Sequence, residues 1–273
     1  MKEVLTRSLS GLIYITLLIL CLNNAYALLV LLFVFGLLTL AEFNKLIQLK
    51  AFVPYVVFTL LYLVFGYLQF FTSLNKGITE ATQILHVLTV FVQLFLIKDL
   101  FSENQIPLFA SKRYLLTTFY ISSAFVFMFL IANFNGVFTP EILLGTFILI
   151  WTNDTFAFLV GKNFGKQKLF KKISPKKTVE GFLGGLFFSC VASYFIATFT
   201  ETLNFTHWLA LSIIICVFGT LGDLIESKFK RQAQVKDSGI IMPGHGGILD
   251  RMDSIIFAAP FVYLFLRLTA YVS

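Results

Sequence analysis

The sequence predicts an all-α fold: a polytopic membrane bundle of about nine transmembrane helices with a cytoplasmic N-terminus. Three observations predict it. Of 273 residues, 58% are hydrophobic and only 13% charged, about half the ~25% charge of a soluble domain. Mean hydropathy is +0.87, and the apolar residues fall in runs, each about long enough to cross a bilayer core of ~30 Å. Nearly all of the basic residues fall in alternate loops.

The first apolar segment, 9–22, is short for a span, and its partner, 25–43, begins after Asn23-Asn24, a natural tight turn. Residues 1–27 also carry leader-like features: Lys2 and Arg7 precede the apolar stretch, and Ala25-Tyr26-Ala27 fits a small-residue cleavage site. The second apolar run follows at once, which favours a helical hairpin. Further spans are expected at 53–71, 84–101, 114–134, 141–160, 182–199, 208–224 and 254–271. With a cytoplasmic N-terminus, every one of the 21 lysines and arginines except Lys76 and Arg267 lies in a cytoplasmic segment or, for Lys98, at the cytoplasmic end of a span, as the positive-inside rule requires. The net charge of +7 therefore points to a membrane surface and not to nucleic acid. Cys21, Cys190 and Cys216 lie in apolar runs without a CxxC pair, which argues against a disulfide framework and a cysteine zinc site.

The chain reads as one integral membrane domain, 1–273. Spans alone fill 1–150, and two long cytoplasmic loops, 161–181 and 225–253, lie in 151–273. Loops held on a rigid bundle are where a soluble substrate can be met. After the eighth span, Asp223, Ser227 and Arg231 recur every four residues and share a face if the helix continues. Asp250 and Asp253 share a face at the start of the ninth span, and between lie Lys228, Lys236, Asp237 and the turn Gly244-His245-Gly246-Gly247. Carboxylates at a membrane boundary need solvent, a partner or a cation. Carboxylate oxygens suit Mg²⁺, Lys and Arg suit phosphate, and glycines let backbone N–H groups approach an anion. The alternative is a solvated loop anchored by ion pairs. In the other loop, Asp154 lies within the sixth span beside Asn153, and Ser174-Pro175-Lys176-Lys177-Thr178 is expected to open the seventh helix with Ser174 as its cap and Glu180 in its first turns. Asp154 reads either as functional or as a hydrogen bond between helices. His86 and His207 read as structural, Glu42 as the partner of Lys45, and Arg267 as snorkelling outward.

Ser227-Lys228-Phe229-Lys230-Arg231, Lys236-Asp237 and His245-Gly246-Gly247-Ile248-Leu249-Asp250-Arg251-Met252-Asp253 together resemble the signature of phosphatidate cytidylyltransferases, the CDP-diacylglycerol synthases. Ser174–Gly181 and Asn153-Asp154…Gly161 resemble two further blocks, so the likeness covers 151–254. Met242 and Phe158 depart mildly from the pattern, and Phe158 lacks the tyrosine hydroxyl common there. The resemblance implies transfer of CMP from CTP to phosphatidic acid, giving CDP-diacylglycerol and pyrophosphate. It implies a catalytic set of Asp223, Asp250, Lys228, Arg231, Lys236, Asp237, His245, Arg251 and Asp253, with Asp223 and Asp250 on Mg²⁺ accompanied by a second cation. Asp154, Ser174, Lys176, Lys177, Thr178, Ser227, Gly246 and Gly247 are its substrate-binding residues. It further implies a bacterial inner membrane protein with its site facing the cytoplasm, and it allows a homodimer. The rival readings are a CTP-dependent lipid kinase and a cation-coupled transporter. Against the transporter stand the lack of an internal repeat and the gathering of polar groups at one face.

Overall fold

The computed structural model describes residues 2–68 and 76–272. Among them are nine helices: α1 (Lys2–Cys21), α2 (Ala25–Leu46), α3 (Val53–Leu68), α4 (Lys76–Phe101), α5 (Ala110–Ala132), α6 (Pro140–Phe164), α7 (Val179–Thr200), α8 (Phe205–Gln232) and α9 (Leu249–Val272). Seven of these, α2 and α4 to α9, are long and apolar enough to cross a membrane, while α1 and α3 carry shorter apolar stretches. The chain is an integral membrane protein of helical class. The end of the expected third span, 69–71, lies outside the described residues.

The bundle is arranged around α5, which is apolar on every side: each residue of Ser123–Ala132 is buried. Helix α9 packs on α5, α8 packs on α9, and α6 and α7 form an antiparallel pair beside α8. Helix association in lipid depends on close packing and hydrogen bonds more than on apolar transfer. Gly222 shows why: a Cβ there would stand 2.7 Å from the Asp253 carbonyl, so only glycine lets α8 approach the first turn of α9. The rings of Phe218 and Phe261 then stack at 3.6 Å. Pro260 interrupts the hydrogen bonding of α9. On α4, Gln93 donates to the Ile256 carbonyl at 3.4 Å, and the His86 Nε2 lies 2.8 Å from the Pro260 carbonyl. The expectation that His86 is structural agrees with this contact. Asn24 caps α2 through the amides of Tyr26 and Ala27, making the tight turn expected between α1 and α2.

Several boundaries differ from those expected. Helix α8 runs on to Gln232, α6 to Phe164, and α9 starts at Leu249, so both long loops are shorter than the hydropathy pattern suggested. Charged side chains lower hydropathy without breaking a helix whose polar groups face a cleft. The fold also carries a small antiparallel hairpin, β1 (Lys168–Phe170) paired with β2 (Ser174–Thr178). Ser174 therefore does not cap a helix. Pro175 holds the residue before it extended, and the cap of α7 is Thr178, which accepts the Gly181 amide at 3.1 Å.

Candidate active site

The polar residues of the two motif segments meet at one end of the bundle, around a cleft of about 780 Å³. Its floor is the C-terminal half of α8 and the first turn of α9, one wall is α6, and the hairpin forms its rim. On α8, Asp223, Glu226 and Lys230 follow one another at i, i+3 and i+7, which places them along one stripe. Helix α9 brings Asp253 opposite. Carboxylate oxygens of Asp223, Glu226 and Asp253 lie within 4.8 Å of one another.

Two ammonium groups enter this cluster. Lys177, from β2, stands 2.5 Å from Asp223. Burial alone would pull the Lys177 ammonium below the usual lysine range, but the Asp223 carboxylate outweighs that and holds it above. Lys230 bridges Glu226, with which it is ion-paired, and Asp250 at 2.6 Å. Ser227 donates to the other oxygen of Asp223 at 3.2 Å. Glu226 is almost wholly buried, yet no hydrogen-bond donor among the described residues reaches its Oε1. A buried carboxylate oxygen without a donor, beside two more carboxylates, fits a hard divalent cation. Asp223, Glu226 and Asp253 could hold one.

Asp250 is placed differently from the Mg²⁺ ligand that the resemblance implies. Its Oδ1 accepts from Lys230, and its Oδ2 accepts from the Gly247 amide at 2.7 Å and from the Ser238 amide and hydroxyl at 2.9 and 2.8 Å. These bonds fold the glycine turn onto the start of α9. Gly246 adopts φ +87° there, and a Cβ on it would collide with the Asp250 carboxylate. The Gly247 amide is thus turned to Asp250 and not to an exposed anion.

The structure brings Asp154, Ser174, Lys176, Lys177, Thr178, Asp223, Asp237, Asp250, Arg251 and Asp253 to the cleft. Others stand apart from it. Lys228 is buried on the far side of α8 and donates to the carbonyls of Asp99 and Ser102, at 2.5 and 2.8 Å, closing the C-terminal end of α4. Arg231 is exposed, with its guanidinium 3.5 Å from the Val235 carbonyl, and Lys236 is exposed as well. Helical turns of 3.6 residues rotate a four-residue repeat off its face, so Arg231 leaves the stripe begun by Asp223. His245 faces α1: its Nδ1 is 2.7 Å from the Ser10 hydroxyl, which also donates to the Pro243 carbonyl. Arg251 links that loop to the cleft through the His245 carbonyl at 3.0 Å.

Glu226 and Lys230 were absent from the residues expected at the site, although their i, i+4 spacing pairs them on a helix. Glu42 is a correction. It does not pair with Lys45; it is 2% exposed and accepts the amides of Ile248 and Leu249 at 3.2 and 2.8 Å and the Ser238 hydroxyl at 3.3 Å. A carboxylate from α2 thus caps α9, where helix N–H groups lack internal partners. Nothing in the sequence signals a bond across some 200 residues.

Fold and site together define a polytopic helical membrane protein with a polar cleft, suited to a cation and to anions, at one end of its bundle. The chain belongs to the cytidylyltransferase family, whose profile matches residues 5–269. It is similar to proteins named phosphatidate cytidylyltransferase. In Staphylococcus aureus (strain COL) the identity is 41% over 167 residues, 60% of this chain and 62% of the relative. In Bacillus subtilis (strain 168) it is 39% over 183 residues, 67% of this chain and 66% of the relative. The aligned stretch thus spans a little under two thirds of the length of these relatives.

Proposed function

We propose that this chain transfers CMP from CTP to phosphatidic acid, giving CDP-diacylglycerol and pyrophosphate, as the names of its relatives suggest. The observation that carries the proposal is the meeting of three carboxylates within 4.8 Å of one another, paired with Lys177 and Lys230, at the base of the cleft. An oxygen of the lipid phosphate attacks the α-phosphorus of CTP. A P–O bond forms, the α–β anhydride bond breaks, and pyrophosphate leaves with the electron pair. The attacking phosphate is ionised near neutral pH, so no strong general base is needed. Such a transfer relies on positioning and charge neutralisation.

Asp223, Glu226 and Asp253 would hold Mg²⁺, which when bound supplies positive charge to phosphate oxygens. Lys177, Lys176 and Arg251 bind phosphates from the rim and floor. Asp250 keeps Lys230 in place beneath them. Apolar groups at the same cleft, among them Phe158, Phe182 and Leu169, suit a substrate that remains partly in the leaflet. We place the cleft on the cytoplasmic side of a bacterial inner membrane, with α1 and α3 completing nine spans and the N-terminus inside. The distribution of lysines and arginines supports this.

The test is pyrophosphate release by purified protein in detergent with CTP, Mg²⁺ and phosphatidic acid. Lipid-dependent release is the expected result. CDP in place of pyrophosphate would make the chain a lipid kinase, and no turnover from folded protein would overturn the reading.

A further inference from the structure

Tyr120 lies in the N-terminal half, where the sequence offers only spans. It sits on a π-helical segment of α5, Leu116–Ser122, and is wholly buried. Single π-turns inside α-helices recur at functional sites. Its ring packs among Phe43, Phe229 and Phe257, with centroids at 5.6, 6.3 and 6.2 Å. Phe229 is one turn beyond Glu226 on α8, and Phe257 one turn beyond Asp253 on α9. The ring therefore packs between α8 and α9, against residues one turn from Glu226 and from Asp253. Neither the Tyr120 hydroxyl nor Glu226 Oε1 has a hydrogen-bond partner among the described residues. Leaving a buried donor and a buried acceptor unpaired in one compartment is costly, and such groups in native proteins find partners.

We propose that Tyr120 is a positioning residue for the carboxylate trio, its hydroxyl donating to Glu226 when the cleft holds a divalent cation. A phenol suits this place because it is a neutral donor. It orients the carboxylate without cancelling the charge that attracts the cation, as a further ammonium would. The proposal rests on the cation reading of the cleft.

The test measures Mn²⁺ binding to the full chain in detergent by electron paramagnetic resonance, without substrates. Tyr120→Phe removes the hydroxyl alone, and should weaken Mn²⁺ binding about tenfold, as is usual when a group behind a metal ligand is lost, with no fall in Tm. Phe229→Leu loosens the same aromatic packing but keeps the hydroxyl, and should bind Mn²⁺ as the wild type does. Unchanged affinity in Tyr120→Phe would overturn the proposal while leaving the cation site standing. So would an equal loss in Phe229→Leu, which would make the effect one of packing, or failure of Tyr120→Phe to fold. Wild-type protein that bound no Mn²⁺ would overturn the cation reading and this proposal with it.

Discussion

Lys177 and Lys230 hold the cluster together, since three carboxylates this close would otherwise repel one another. Removing one carboxylate should therefore damage function far more than stability. Asp223→Asn and Glu226→Gln are each expected to lower pyrophosphate release on the order of 10²-fold or more; activity within a few-fold of wild type in either would show that the trio is not the reacting site. Lys228→Met should behave in the opposite way, lowering Tm by leaving the end of α4 unsatisfied while activity per folded molecule is largely kept. For Lys177, a raised pKa means that its ion pair is present below the ordinary lysine pKa and is lost only as pH rises through the raised value. Its contribution is constant across the neutral range. The acidic and alkaline limbs of a pH–rate profile should thus persist unshifted in Lys177→Arg, and a shift of the neutral-range limb in that variant would contradict this.

At the scale of elements, the site depends on two helix starts that are capped in different ways. Thr178 caps α7 locally, at the junction where the hairpin delivers Lys177, and Thr178→Ala should cost about 1 kcal/mol of stability. Glu42 caps α9 from a distance. Glu42→Ala strands two amides and a hydroxyl and should cost roughly 1–3 kcal/mol, seen as a lower Tm in detergent. Glu42→Gln keeps an acceptor and should recover part of that loss. If both Glu42 variants melted as the wild type does, the cap would not be holding α9. The helix stripe of α8 is legible in outline: Asp223 is expected, and its shared face holds only if the helix continues past the expected end at 224, as it does to Gln232. A repeat counted in fours chose Ser227 and Arg231, and so passed over Glu226 and Lys230.

For the molecule as a whole, polar side chains are gathered around a cleft at one end of an apolar bundle, as the proposed reaction requires. The two ends differ in charge, and exposed residues mark each: Lys172 on the hairpin loop and Glu201 between α7 and α8. In intact cells, a membrane-impermeant thiol reagent should label Glu201→Cys and spare Lys172→Cys until the membrane is opened. The reverse pattern would invert the proposed orientation.

The sequence by itself determined the helical membrane class, the places of the apolar segments and the two polar segments that line the cleft, because hydropathy and charge are properties of local composition. It also supplied the resemblance that the family match bears out. Only the tertiary structure decided which members of those segments face one another. It set Lys230 and Asp253 at the cleft with Glu226 buried beside them, moved Lys228 to the end of α4, turned Asp250 toward Lys230 and the glycine turn, and brought Glu42 to the start of α9 from a helix that looks like a plain span. The physical reason is rotation and packing: which way a side chain points depends on where its helix is turned against its neighbours, and that orientation is set by contacts between residues far apart in the chain.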